Sequence, residues 1–281
     1  MKKSGRLAET FIGDRFGVVM KVKRLFVLLI GIAFFIALIT SCLFIFSIKT
    51  VKAEFNISES FNESSIKETL DEFSGKNLLF FDEEQVNEAL NKFTNVKVLS
   101  VEKVFPNVLS VKLVEREIAY SLTHNNATYL LDKEGFIVDK VDAETYEKDG
   151  VININLQDVK PINLIVGSNV SFDNNELFYS AIEISETVLD NVESLGDAKV
   201  KDSVESITVS NTNKVKLAIF KTSSGVSIRI NKPDEDGENK AKEGFKSYHE
   251  LINDYYKTYQ IIDVTKNILT GKIDVVWTSG G

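Results

Sequence analysis

The chain has 281 residues, of which 43% are apolar and only one is a cysteine. A single cysteine excludes an intramolecular disulfide, so any folded part must be stabilised by packing. The net charge of −8 hides a strong asymmetry: the first 24 residues hold seven basic and two acidic side chains, and the remainder holds 26 basic and 39 acidic ones. The amino-terminal segment therefore carries +5 and the rest −13.

Residues 25–48 contain no charged side chain, and Lys21, Lys23 and Arg24 stand directly before them. As a helix this run would be roughly 36 Å long, which is enough to cross a hydrocarbon core of about 30 Å. The positive-inside rule places residues 1–24 in the cytoplasm and the chain after residue 48 on the other side. We therefore predict a single-pass protein of the cytoplasmic membrane that contacts lipid through residues 25–48.

Two other interpretations of this run are a cleaved signal peptide and a lipoprotein anchor. A cleaved signal peptide has a shorter apolar core and a small-residue cleavage site. Residues 39–42, Ile-Thr-Ser-Cys, resemble the lipobox of a bacterial lipoprotein, but the apolar residues 43–46 follow Cys42 where such proteins turn polar. We favour an uncleaved anchor and keep the lipoprotein as the alternative.

Residues 50–117 change their periodicity in the order β-α-α-β-β. Alternating apolar residues predict a strand at 51–55, and β-branched residues predict another at 96–104. Between them, apolar residues spaced i, i+4 and i+7 predict two short helices, the first ended by Gly75. A turn at 105–107 leads to an alternating third strand. The apolar helix residues are Ile66, Leu70 and Phe73, then Val86, Leu90 and Phe93. We expect Leu70, Leu90, Val111 and Leu113 to share one core.

Four short stretches in and after this region carry a family resemblance. They are Gly-Lys-Asn-Leu-Leu at 75–79, Val-Phe-Pro-Asn-Val-Leu at 104–109, Val-Glu-Arg at 114–116 and Tyr-Leu-Leu-Asp-Lys-Glu-Gly at 129–135. Together with the element order, the basic tail and the single span, they resemble the bacterial cell-division proteins FtsQ and DivIB, which contain a POTRA domain. The resemblance implies a POTRA-like domain over residues 50–117.

Residues 118–281 are predicted to form a second α+β domain with a mainly antiparallel sheet. Strands are expected at 118–122, 128–131, 136–138, 151–156, 162–166, 204–209, 215–220, 226–230, 261–264 and 273–277. Two long helices are expected, one from Asp173 to Gly196 and one with apolar residues from Ala241 to Tyr259. The charged stretch at 232–240 is predicted to be an exposed loop.

No catalytic motif stands out in the chain. His124 and His249 lie outside any recognisable constellation, and acidic pairs such as Glu83–Glu84 and Asp234–Glu235 are typical of a solvated surface. We expect no enzyme activity, no catalytic or metal-binding residue, no cofactor and no small-molecule substrate. The acidic charge after residue 48 argues against nucleic-acid binding.

The last strand is the candidate partner-binding site. Its apolar residues Ile273, Val275 and Trp277 alternate with Val276 on the opposite face, and a strand at a sheet edge can recruit a partner strand. We predict partner contacts at Ile273, Val275, Val276 and Trp277, and loss of binding on Val276→Pro if the Val276 N–H faces outward. The alternative is that Trp277 only closes the core.

The resemblance implies that the partners are small single-span coiled-coil division proteins of the FtsB/DivIC and FtsL type. It also implies a non-enzymatic scaffold that binds other divisome proteins outside the cytoplasmic membrane, at the division septum, and couples them to septal wall synthesis. A membrane-anchored cell-wall enzyme and a POTRA protein of transport or assembly are the alternatives.

Overall fold

The computed structural model describes residues 5–56, 63–143, 150–190, 204–254 and 259–279. Two compact units divide the chain: Met1–Ala89 with Val98–Leu113, and Leu90–Lys97 with Val114–Gly281. The architecture is α+β, as predicted: an N-terminal apolar helix, a β-α-α-β-β region and a large mixed sheet.

The first elements follow the predicted order. They are α1 (Gly5–Ile45), β1 (Thr50–Asn56), α2 (Glu63–Asp71), α3 (Glu84–Leu90), β2 (Val96–Val104) and β3 (Val108–Glu115). The three strands form a sheet in the order β1-β3-β2. Gly75 has a φ of +86°, a left-handed conformation that glycine adopts without steric cost. The predicted core residues Leu70, Leu90, Val111 and Leu113 are each buried.

The apolar span ends earlier than the sequence predicted. Residues 25–45 of α1 have a mean hydropathy of 2.8 and are long and apolar enough to cross a membrane. The helix stops at Ile45, and Ile48, predicted to belong to the span, is buried beside β1 instead. The Ile48 side chain therefore packs in the core of the folded unit and does not extend the membrane-spanning helix.

The second unit is built on a nine-stranded sheet. Its strands are β4 (Tyr120–His124), β5 (Ala127–Leu131), β6 (Ile137–Asp142), β7 (Ile152–Gln157), β10 (Val204–Ser210), β11 (Leu217–Thr222), β12 (Ser227–Asn231), β13 (Ile261–Lys266) and β14 (Ile273–Thr278). A small separate pair is formed by β8 (Pro161–Asn163) and β9 (Ser171–Phe172). The order in the large sheet is β14-β13-β12-β11-β10-β7-β4-β5-β6, and five of its eight strand pairs are antiparallel.

Two helices cover the β10–β14 half of this sheet. Helix α4 (Asn175–Asp190) packs on β10 and β11, and α5 (Gly237–Asp254) packs on β12, β13 and β14. The buried aromatic side chains Phe178, Phe220 and Phe245 belong to the core between helices and sheet. The predicted helix end at Gly196 and the apolar positions Tyr255 and Leu195 lie outside the described residues.

Two predictions for the second unit were wrong in part. The expected strand at 162–166 is reduced to β8, because the Ser168 N–H donates to the Ile165 carbonyl and closes a turn directly after it. The stretch at 232–240 is not all exposed loop: α5 begins at Gly237, and Lys240 is buried. The sequence pattern failed there because a lysine in a charged run is normally solvated.

Candidate partner-binding edge

Strand β14 forms one end of the nine-stranded sheet, and β6 forms the other. Its single neighbour is β13, with Val276 opposite Asp263 and Val275 opposite Val264. The outer side of β14 therefore presents backbone groups that no strand of the described chain pairs with.

The side chains of β14 alternate as the sequence predicted. Ile273, Val275 and Trp277 pack on the core of the second unit. The Trp277 ring lies 5.9 Å from that of Tyr259, between centroids. Val276 points to the opposite face and is 51% exposed. Trp277 thus does help to close the core, and it is also only partly buried.

The hydrogen-bond phase of the strand pair decides which backbone groups are free. The Asn267 N–H donates to the Lys272 carbonyl at 2.8 Å, so residues 267 and 272 are a hydrogen-bonded pair. Because such pairs recur every two residues, Asp263 and Val276 are another, and the Val276 N–H points at β13. The outward N–H groups belong to Ile273, Val275 and Trp277.

The parallel pairing on the other side of β13 gives the same phase. The Ser227 N–H donates to the Gln260 carbonyl at 2.8 Å, so the backbone groups of residues 260, 262 and 264 face β12. Residues 261, 263 and 265 are left to face β14. The prediction for Val276→Pro required an outward Val276 N–H, and this N–H instead faces β13. A proline at Val276 would therefore remove a hydrogen bond within the sheet, and Val275 is the informative position.

An apolar hairpin tip adjoins this edge, and its residues were not among those predicted to bind a partner. Ile268 and Leu269 connect β13 to β14 and are 93% and 95% exposed. The Asn267 Oδ1 accepts hydrogen bonds from the N–H groups of Leu269 and Thr270, at 3.0 and 3.1 Å, which orders the turn. Two adjacent apolar residues between an asparagine and a glycine were the available signal.

The histidines and acidic residues for which no catalytic role was predicted lie on different elements. His124 ends β4 beside the turn at Asn125, whereas His249 lies on α5. Asp234 accepts a bond from Lys216, and Glu235 pairs with Lys232. Among the described residues, no group of three or more His, Cys, Asp or Glu side chains is placed to hold a metal ion.

The buried charges of the second unit have structural partners. Arg116 binds Asp132 and lies 3.8 Å over the Phe136 ring, measured from Cζ to the centroid. Asp132 also accepts the N–H groups of Glu134 and Phe136 at 2.9 and 2.8 Å. Burial raises the pKa of Asp132, against the opposing effect of the Phe136 N–H and of Arg116. Burial lowers the pKa of Lys240, whose Nζ donates to two main-chain carbonyls.

Comparisons with known proteins identify the first folded region. The model of the POTRA domain, FtsQ-type, matches residues 46–116, from the end of α1 to just past β3. No curated protein matches the chain. Among the described residues one helix, near the N-terminus, is long and apolar enough to cross a membrane. Together with the FtsQ-type POTRA domain it fits the FtsQ/DivIB family of single-span membrane proteins.

Proposed function

We propose that this protein is a non-enzymatic scaffold of bacterial cell division, which binds small single-span coiled-coil partners of the FtsB/DivIC and FtsL type through the free edge of β14. The FtsQ-type POTRA domain supports a division-associated role. The observation that carries the binding proposal is the outward row of N–H and C=O groups at Ile273, Val275 and Trp277, at the end of a nine-stranded sheet.

An added partner strand would pair with these groups. Strand addition draws affinity from main-chain hydrogen bonds and selectivity from alternate side chains. On one face the partner would contact the solvent-exposed parts of the Ile273, Val275 and Trp277 side chains. On the other face it would contact the exposed Val276 side chain. The tip residues Ile268 and Leu269 extend the apolar surface along the same hairpin. The four residues predicted from the sequence therefore keep their role in the proposal, with Val276 contributing a side chain rather than an N–H.

The test is capture of the partners by the full-length, detergent-solubilised chain carrying Val275→Pro. That change removes an outward donor and leaves every β13–β14 hydrogen bond in place. We expect partner capture to fall strongly with the thermal unfolding curve little changed.

Lys140→Pro on β6, at the opposite edge, is the matched control. The Ala143 N–H donates to the Asn126 carbonyl, so residues 126 and 143 are a hydrogen-bonded pair and the Lys140 N–H, three residues away, faces outward. Lys140 is exposed, and its N–H donates to the Asp139 side chain rather than to β5. Full capture by Val275→Pro, or equal loss in both variants, would contradict binding at β14.

The proposed placement is tested in cells. A fluorescent fusion should concentrate at the septum, and a reporter active only outside the cytoplasm should be active when fused after Gly281. This follows from the basic residues before the apolar span. A signal spread evenly around the membrane would argue against a divisome role, and an inactive reporter would reverse the topology.

A further inference from the structure

Exposed apolar side chains cluster on two loops of the first unit that contact the end of α1. Leu79 and Phe80 follow the turn at Gly75, and Val104 and Phe105 lead into the turn between β2 and β3. Phe80 is 77% exposed and Phe105 is 55% exposed. We call these four residues the anchor-proximal patch. Exposed aromatic side chains grouped in this way usually mark a contact surface.

The first loop is hydrogen-bonded to the last turn of α1. The Asn77 Nδ2 donates to the Leu43 carbonyl at 3.1 Å, and the Leu78 N–H donates to the Phe46 carbonyl at 2.7 Å. Ser47 also pairs with Asn77 as an isolated β-bridge. Leu79 and Phe80 are therefore held within a few residues of the point where the helix ends.

The second loop, the turn between β2 and β3, also contacts the residues that directly follow α1. The Phe105 ring meets the Phe46 ring edge-on, with centroids 5.8 Å apart. The Asn107 carbonyl accepts the Lys49 N–H at 2.9 Å. No flexible linker intervenes, because β1 begins at Thr50 and Ile48 is already buried.

The length of α1 sets the depth of these loops. Its membrane-spanning stretch of 21 residues, Leu25–Ile45, is about 32 Å long as a helix. That length matches a hydrocarbon core of about 30 Å, bordered on each side by an interfacial layer on the order of 5–7 Å. Asn77 binds the carbonyl of Leu43, inside the last helical turn, so the residues next to it fall within the interfacial layer.

We propose that the anchor-proximal patch inserts into the lipid interface of the leaflet that α1 leaves at Ile45, with Phe80 and Phe105 as the deepest side chains. Aromatic side chains are favoured at this level of a bilayer. Lys49 and Lys76 are exposed beside the patch and can reach lipid phosphates with their ammonium groups. Asp82, Glu83 and Glu84 begin the charged surface just beyond Phe81, which limits the insertion to the loop tips.

This contact would hold the POTRA domain against the bilayer at two loops in addition to the helix. The domain could then neither swing nor rotate freely about the end of α1. The inference rests on α1 spanning the membrane and is independent of the β14 edge. Loss of partner capture would therefore test only the β14 edge, and loss of lipid contact would test only the anchor-proximal patch.

The experiment places a thiol-reactive, polarity-sensitive fluorophore on the full-length chain in phosphatidylethanolamine–phosphatidylglycerol vesicles. Cys42→Ser removes the native thiol, and Phe80→Cys or Phe105→Cys provides the label site. Leu99→Cys is the matched control, because Leu99 is exposed and apolar on β2, the strand that leads to Phe105, and lies about 20 Å back along the chain from it.

We expect labels at positions 80 and 105 to be quenched by lipids carrying a nitroxide near the headgroup and to be shielded severalfold from aqueous iodide. The label at position 99 should show the reverse. Iodide quenching at 80 and 105 equal to that at 99 would overturn the proposal. Shielding from both quenchers would overturn it too, because protein, such as a second copy of this chain, would then cover the patch. Vesicle flotation checks separately that α1 inserts, and the inference falls if it does not.

Discussion

The two units of the chain differ in what their interiors contain. Among the described residues of the first unit, the buried ones are apolar apart from Thr69 and Ser110. In the second, two charged residues are buried among the described residues, Asp132 and Lys240, and each has hydrogen-bond partners. A mainly apolar interior is sensitive to lost volume, whereas a buried charge is sensitive to the loss of its partner. Substitutions are therefore expected to destabilise the two units for different reasons.

The largest expected effect comes from Asp132→Ala. This change leaves the guanidinium of Arg116 mostly buried and without its carboxylate, and frees the N–H groups of Glu134 and Phe136. Removing one partner of a buried pair costs about 3–5 kcal/mol of unfolding free energy. Denaturant titration measures the loss, and Asp139→Ala on the exposed face of β6 is the control, expected within about 0.5 kcal/mol of the unmodified chain. Equal effects of the two variants would remove the distinction between the units.

The first unit is tested by Leu70→Ala on α2. Leu70 is buried, so the truncation leaves a cavity and should cost about 2–5 kcal/mol. On the same helix, Lys67 is exposed and pairs with Glu63 four residues earlier, so Lys67→Ala should cost only about 0.3–0.5 kcal/mol. The same denaturant titration compares them. Tolerance of Leu70→Ala at the level of Lys67→Ala would mean that the core of the first unit does not depend on packed volume.

Lys240 gives a sharper test of the second unit, with a neighbour as its control. Its Nζ donates to the carbonyls of Asn231 and Lys232 at 2.8 and 2.9 Å, while Lys242 is exposed and pairs with Glu238. Lys240→Ala removes the donor to both carbonyls from a buried position and should cost about 1–3 kcal/mol. Lys242→Ala should cost less than about 1 kcal/mol. Thermal unfolding of the two variants side by side decides whether the buried ammonium stabilises the start of α5.

The same contrast explains what the sequence could predict. Apolar periodicity located β1, α2, α3, β2 and β3 because each buries one regular face. It also located β14 and the alternation of its side chains. That β14 forms a sheet edge is set by long-range pairing, namely the parallel pairs β12–β13 and β7–β10, which local patterns do not contain.

Polar residues limited the prediction in the second unit. Nothing in the sequence indicated that Arg116 packs on Phe136 and binds Asp132, because a charged residue is expected to be solvated. Lys240 was assigned to an exposed loop for the same reason. The local sequence around a charged residue does not show whether its side chain is solvated or is buried against a partner. The direction of the Val276 N–H likewise depends on strand register, which alternation of side chains leaves undetermined.

The smallest expected effect is a pH dependence at the surface of the second unit. Asp236 accepts hydrogen bonds from Lys266 and Asn239, at 2.8 and 2.7 Å, and these hold its pKa below the ordinary value. A carboxyl with a lowered pKa in the folded state contributes stability above the pKa of the unfolded chain, and this contribution disappears as the pH falls through the folded value.

Asp236→Asn is the suitable change, since Asp236 has a φ of +58°, which asparagine tolerates. The unmodified chain should be slightly more stable than Asp236→Asn at pH 7, and the difference should close as the pH falls below about 4. Unfolding curves across pH 2–7 measure this difference. A gap that stays constant or widens in acid would show that Lys266 does not favour the ionised form of Asp236.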